Sequence, residues 1–144
     1  HPDSYCFSCN DFGRLYNFSV LNEVCPDGWN VPTLQEWWNM LELYEPEHLT
    51  YDSPNKISFN GDGINPILNG ENGFNAQLGG RYLTSIESID NQDDFGYYWA
   101  NTQLGRKKGY EIVFSTISED IWKDDRKISS QYIACRCIQN EESE

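Results

Sequence analysis

The clearest hydrophobic pattern starts at residue 33. Leu34, Trp37, Trp38 and Leu41 fall at i, i+3, i+4 and i+7, which predicts a helix with one apolar face. Thr33 and Glu36 open it as a T-x-x-E capping box, each side chain taking the other residue's backbone N–H. Pro46 cannot continue a helix and ends it. Upstream, GRLYNFSV (13–20) alternates around Leu15, Tyr16 and Phe18, predicting a strand that passes into a short helical turn before Cys25.

From 45 to 96 neither period persists. The stretch holds Asn60-Gly61, Asp62-Gly63, Asn69-Gly70, Asn72-Gly73 and Gly79-Gly80, all turn dipeptides, and is expected to be mostly loop. A loop of that length inside one domain is usually functional. Apolar alternation returns in GYYWANTQ (96–103), GYEIVFSTI (109–117), EDIWKDD (119–125) and QYIACRCI (131–138), predicted as strands, with LGRKKG as a hairpin tip between the first two. In YEIVF, Tyr110, Ile112 and Phe114 share one face, Glu111 and Val113 the other. Helices first, then a loop, then antiparallel strands make an α+β domain. Residues 1–140 are expected as that single domain and 141–144 as an acidic tail, with a chain opening on HPDSYC read as an excised piece of something longer.

Composition sharpens this picture. Aromatic residues make up 15% of the chain while aliphatic runs are scarce, so large rings are expected to fill the core. A formal charge of −13 argues against nucleic acid and anionic membrane surfaces as partners. No run of 18 apolar residues is present, so no membrane insertion is expected. The five cysteines stand at 6, 9, 25, 135 and 137. C-x-C is a poor second knuckle for zinc, and a secreted disulfide set fits the pattern better, with one thiol left free or intermolecular.

For catalysis, a nucleophile needs a neighbouring base, and the two histidines, His1 and His48, sit by no plausible nucleophile. The chain is expected not to be an enzyme and to require no cofactor. Calcium is the candidate cation, with oxygen ligands at Asp90, Asp93 and Asp94, or at Asn60, Asp62 and Glu71. Neither cluster matches an EF-hand loop, and Asx and Gly residues are also what turns require.

Five blocks carry a resemblance: GRLYNFSVLN (13–22), CPDGWNVPTLQEWWNML (25–41), GFNAQLGGRY (73–82), FGYYWANTQ (95–103) and ACRCIQ (134–139). In this order they resemble the Fibrobacter succinogenes major paralogous domain, a family of bacterial surface and secreted modules. That family is similar to C-type-lectin-like domains and, more distantly, to sulfatase-modifying domains. The resemblance implies a C-type-lectin-like fold: two short helices packed on a small antiparallel sheet, a long irregular loop region and a disulfide staple. It implies the pairs Cys25–Cys137 and Cys6–Cys9, leaving Cys135 as the odd thiol; 135 and 137 share a strand face, so an exchange of partners stays open. Trp29, Trp37, Trp38 and Trp99 lie in family blocks and are expected in the core, and Asn17, also in a core block, makes its Asn-Phe-Ser sequon coincidental. The family's usual strand upstream of the first cysteine is missing. EPE (45–47) and WKDD (122–125) do not match the calcium-dependent sugar motifs of lectins.

Lectin-like domains present ligands on the long loop and adjoining strands. That implies a surface of Trp122, Asp124 and Asp125 with Asp93, Asp94 and Tyr97 nearby, a stacking ring beside acceptors for hydroxyls. The expected function is a non-catalytic extracellular recognition or adhesion module of a bacterial surface or secreted protein, binding a glycan or protein partner through 84–96 and 119–127. The alternative is a self-associating structural subunit of a cell-surface fibre, its edge strand supplied by a neighbour.

Overall fold

The structure, a computed structural model, describes residues 4–5, 14–44, 49–53, 56–59, 77–115, 120–127 and 131–140. In chain order these form β1 (Ser4–Tyr5), β2 (Leu15–Tyr16), a 3-10 turn (Phe18–Val20), β3 (Trp29–Asn30), α1 (Leu34–Tyr44), β4 (Leu49–Ser53), β5 (Lys56–Phe59), β6 (Arg81–Leu83) and β7 (Ser88–Asp90). The series continues with β8 (Phe95–Leu104), β9 (Lys108–Ser115), β10 (Asp120–Lys127), β11 (Gln131–Tyr132) and β12 (Ile138–Gln139). The fold is α+β.

α1 begins as its capping box dictates. The Thr33 N–H donates to Glu36 Oε1 (3.1 Å) and the Glu36 N–H to Thr33 Oγ1 (3.2 Å). Its apolar face lies on the principal sheet, ordered β4-β5-β10-β9-β8 with antiparallel neighbours. Trp37 and Leu41 bury completely against Tyr98, Ala100, Ile112, Phe114 and Ile121. Trp37, Tyr98 and Phe114 form a ring cluster with centroids 5.7–6.2 Å apart.

The opposite face of β8 and β9 is covered as well. Tyr97, Trp99 and Val113 pack under Leu21, Val31 and Ile133. Trp99 fastens this layer: its Nε1–H donates to the Tyr16 carbonyl (2.7 Å), Phe18 meets its ring edge-on, and its own carbonyl accepts from Trp37 Nε1–H (3.2 Å). Glu111, also fully buried, accepts from Gln131 Nε2 (2.9 Å). A disulfide joins Cys25 to Cys137 across 112 positions, with β12 paired on β3 beside it.

Several expectations are corrected. In place of two helices the described residues hold one α-helix and a single 3-10 turn, which Asn17 caps through its side chain. The stretch from 45 to 96, expected to be mostly loop, carries β4 and β5 in the principal sheet and the β6–β7 hairpin. LTYDS and KISF do alternate, but over only four or five residues among turn dipeptides, too short a run to stand out, and tertiary pairing decides them. The last predicted strand breaks into β11, two bridges and β12, because residues 133–134 bridge to β2 and β8 and not to one neighbour. Trp29 is 44% exposed and not in the core, since β3 is two residues long and pairs only with β12. Pro46, His1, His48 and residues 141–144 lie outside the described residues.

Candidate functional site

The three-stranded sheet β11-β6-β7 is laced to the edge of β8. Gly80 bridges Gly96 in parallel, the Gly80 N–H donates to the Phe95 carbonyl (2.9 Å), and the Asp93 N–H donates to the Leu78 carbonyl (2.7 Å). Both glycines are required by this approach. A Cβ at Gly80 would strike the Asp90 carbonyl oxygen, and one at Gly96 would strike that of Gln77.

That close approach assembles a polar corner. The Arg81 guanidinium lies 4.9 Å from the centre of the Tyr97 ring and donates to Asp90 Oδ2 (3.4 Å). The Asn91 side-chain amide donates to the Tyr97 hydroxyl (2.8 Å) and to Asp90 Oδ2 (3.4 Å). Phe95 stacks on Tyr97 with centroids 5.9 Å apart. Tyr97 is only 5% exposed, and burial raises its pKa, the Asn91 bond and the Arg81 charge opposing that rise in part. Arg81 Nε and Gln92 Nε2 are buried without a hydrogen-bond partner.

Around this corner the backbone is unusual. Glu87, Asn91 and Asp93 all have positive φ (51°, 60° and 73°). Asn and Asp tolerate the left-handed region through local side-chain bonds, while Glu does so at greater cost. Outward from these turns project Ile86, 57% exposed, and the exposed side chains of Glu87, Asp93 and Asp94. The result is a rigid base under an acidic rim with one apolar tip.

Strand register places the backbone of the sequence-predicted ligand residues. Asp93 and Asp94 stand on the rim, whereas Tyr97 supports it from within. Across the sheet Tyr97 pairs with Val113 and Val113 with Trp122, while Asp124 and Asp125 pair with Glu111 and Tyr110. From Ser115, opposite Phe95, to Glu111, opposite Asp124, is four strand positions, or about 13 Å along the sheet. The side chains of Trp122, Asp124 and Asp125 lie outside what is described.

For a cation, Asp90 is engaged by Arg81 and Asn91, and among the described residues no three His, Cys, Asp or Glu side chains gather at metal distance. Asn60, Asp62 and Glu71 lie outside the described residues, as do Cys6 and Cys9. Cys135 is a free thiol packed against the Leu21–Val31–Trp99 layer, and burial pushes its pKa well above the ordinary thiol range. A thiolate nucleophile is therefore not on offer there near neutral pH.

Sequence reasoning missed Arg81 and Asn91. Nothing in their local pattern marks them, although Gly79-Gly80 flagged the turn that brings them in. It also missed a cavity of about 270 Å³ at the start of α1, lined by Thr33, Leu34, Gln35, Trp38 and Thr102. The β-bulge between Ala100 and Gln103 forms it: Asn101 N–H reaches the Pro32 carbonyl (2.7 Å), and Thr102 turns its hydroxyl to accept from Leu34 N–H (2.9 Å). No helix among the described residues is long and apolar enough to cross a membrane.

No curated protein and no solved structure matches the chain. A family model does, over residues 3–139, which takes in the capped helix, the glycine-bridged corner and both cysteines of the staple. The chain belongs to the family of the Fibrobacter succinogenes major domain.

Proposed function

We propose that this chain is a non-catalytic recognition or adhesion module of a bacterial surface or secreted protein. It binds a glycan or protein partner through the turns between residues 84 and 94. One observation carries the reading: Glu87, Asn91 and Asp93 are held in left-handed backbone above a half-buried Arg81–Asp90–Asn91 network on the buried Tyr97 ring. Residues kept in sparsely populated conformations cluster at binding sites, because the surrounding structure must over-determine them. A rim fixed this way meets a partner with little ordering cost. A C-type-lectin-like architecture belongs to the same proposal, supported by a disulfide that draws the residue before β12 to the one shortly before β3. The disulfide supports an extracellular place.

The test is a glycan and cell-wall polysaccharide array, probed with and without calcium, beside pull-down from the surface proteins of neighbouring cells. Binding that Asp93→Ala together with Asp94→Ala removes, with native circular dichroism retained, supports the reading. A folded monomer that binds nothing on either screen sinks it.

A second reading is favoured by β4, which has β5 on one side and no partner on the other among the described residues. Such an edge accepts a strand from another molecule, as in a fibre subunit. Native material that stays monomeric at high concentration in light scattering and negative-stain images excludes it.

A further inference from the structure

We infer that the cavity at the start of α1 is a second binding site, taking one hexopyranose ring of a glycan. It lies toward the far end of β8 from the 84–94 turns, so either site can fail without the other.

The chemistry of the walls selects the ligand. The chain carries a net charge of −13, yet among the described residues no Asp, Glu, Lys, Arg or His side chain lines the cavity. A cation finds no carboxylate there. An anion is disfavoured too, although a helix N-terminus is close, because the Leu34, Glu36 and Trp37 donors are already used, which leaves Gln35 N–H beside the Glu36 carboxylate. Leu34 N–H is taken by Thr102 Oγ1, Glu36 N–H by Thr33 Oγ1 and Trp37 N–H by the Thr33 carbonyl, and the Glu36 carboxylate already meets the positive end of the helix. The occupant is therefore neutral.

It is also amphipathic. Leu34 and Trp38 supply an apolar wall, and an indole ring favours flat faces bearing polarised C–H groups. Thr33 and Thr102 each accept one backbone N–H and keep their own hydroxyl proton to donate. The Gln35 amide nitrogen donates to Asn39 Oδ1 (2.8 Å), leaving its carbonyl as an acceptor. A purely apolar side chain would desolvate all three polar groups and replace none of their hydrogen bonds. A pyranose has one C–H face for the ring and a hydroxyl edge for two donors and an acceptor. A volume of about 270 Å³, just below the range of drug-sized pockets, suits a single ring.

The experiment is a ¹H–¹⁵N titration of the whole chain with methyl glucopyranoside, galactopyranoside and mannopyranoside, taken to the millimolar range. Expected is saturable movement of the Trp38 indole N–H and the Thr102 amide with at least one glycoside, while the Asn91 and Gly96 amides stay still. Gln35→Ala, an exposed position, weakens that binding by about two- to tenfold, the worth of one hydrogen bond. Trp38→Phe, which keeps an aromatic ring against the core, weakens it further with an unchanged fold. Absence of a saturable shift at both reporters for all three glycosides overturns the inference. So does equal affinity in Gln35→Ala, or a response to N-acetylphenylalanine amide with none to the glycosides, which would mark a peptide pocket.

Discussion

Gly80 and Gly105 give a controlled comparison of what the polar corner demands. Their φ angles are nearly equal, +68° and +65°. Alanine at either position meets the left-handed penalty of about 1–2 kcal/mol, offset by about 0.4–1 kcal/mol from a less flexible unfolded chain. At Gly105 a Cβ enters open space, so Gly105→Ala is expected to cost about 0.5–1 kcal/mol. At Gly80 it would collide with the Asp90 carbonyl oxygen and lie 2.7 Å from Gln92 N and 3.0 Å from Asn91 C, all backbone. Overpacking of this kind adds about 1–3 kcal/mol, because no side-chain rotation relieves it. Urea denaturation of both variants reads the difference as a midpoint gap of about 0.5–1.5 M. Amide exchange reads its location: Gly80 and Asp93, whose N–H groups bind across the junction, lose protection first. If the two variants agree within about 0.5 kcal/mol, the close approach of β6 and β8 is not what fixes this corner, and the argument for a rigid rim falls with it.

Other consequences can be measured alongside. Replacing both Cys25 and Cys137 by alanine opens a connection spanning 112 positions and should lower stability by about 5 kcal/mol on the chain-entropy account; a urea midpoint moved by less than about 0.5 M contradicts it. Trp99→Phe removes a buried donor from the Tyr16 carbonyl and leaves a gap in the layer, for an expected loss of about 2–4 kcal/mol by thermal or urea unfolding. Tyr97 has a folded pKa above its ordinary value of 10.0, so its contribution is intact below about pH 10 and disappears as pH rises through the folded pKa. Alkaline unfolding curves should therefore be shallower for Tyr97→Phe, and identical curves would refute the assignment. Cys135, half-buried and with its pKa raised by desolvation, should resist iodoacetamide at pH 8 in native protein and react at once in denaturant; rapid labelling of the folded chain would refute that shift.

How much of this was legible depended on how local the cause was. The helix announced itself because capping and amphipathic spacing act within a few residues, and Thr33, Glu36, Trp37 and Leu41 behave as that pattern requires. The central strands were legible for the same reason, with boundaries a residue or two out. β5 was not, because its outer partner β10 lies more than sixty positions away, and β4 joins the sheet only through β5. Trp29 was misplaced since a tryptophan carries the same hydropathy at the surface as in the core. The corner depends on Arg81, Asp90, Asn91 and Tyr97 meeting across three strands, and no periodicity encodes that encounter. Only the Gly79-Gly80 pair hinted that backbones would run close there.

The distribution of burial narrows where this fold can act. β8 and β9 carry core residues on both faces, with Tyr98, Ile112 and Phe114 under the helix and Tyr97, Trp99 and Val113 under the disulfide layer. These two strands, covered on both sides, have no open face on which to lay a ligand, so at them a partner is met where the strands end. At one end of β8 the chain invests positive-φ residues, a cation over a ring and a paired carboxylate in holding the 84–94 turns still. At the other end a bulge turns Thr102 toward the helix cap and leaves an uncharged, indole-walled cavity. Conformational freedom given up at these two places is what motivates the two proposals, a partner for the acidic rim and a sugar ring for the cavity.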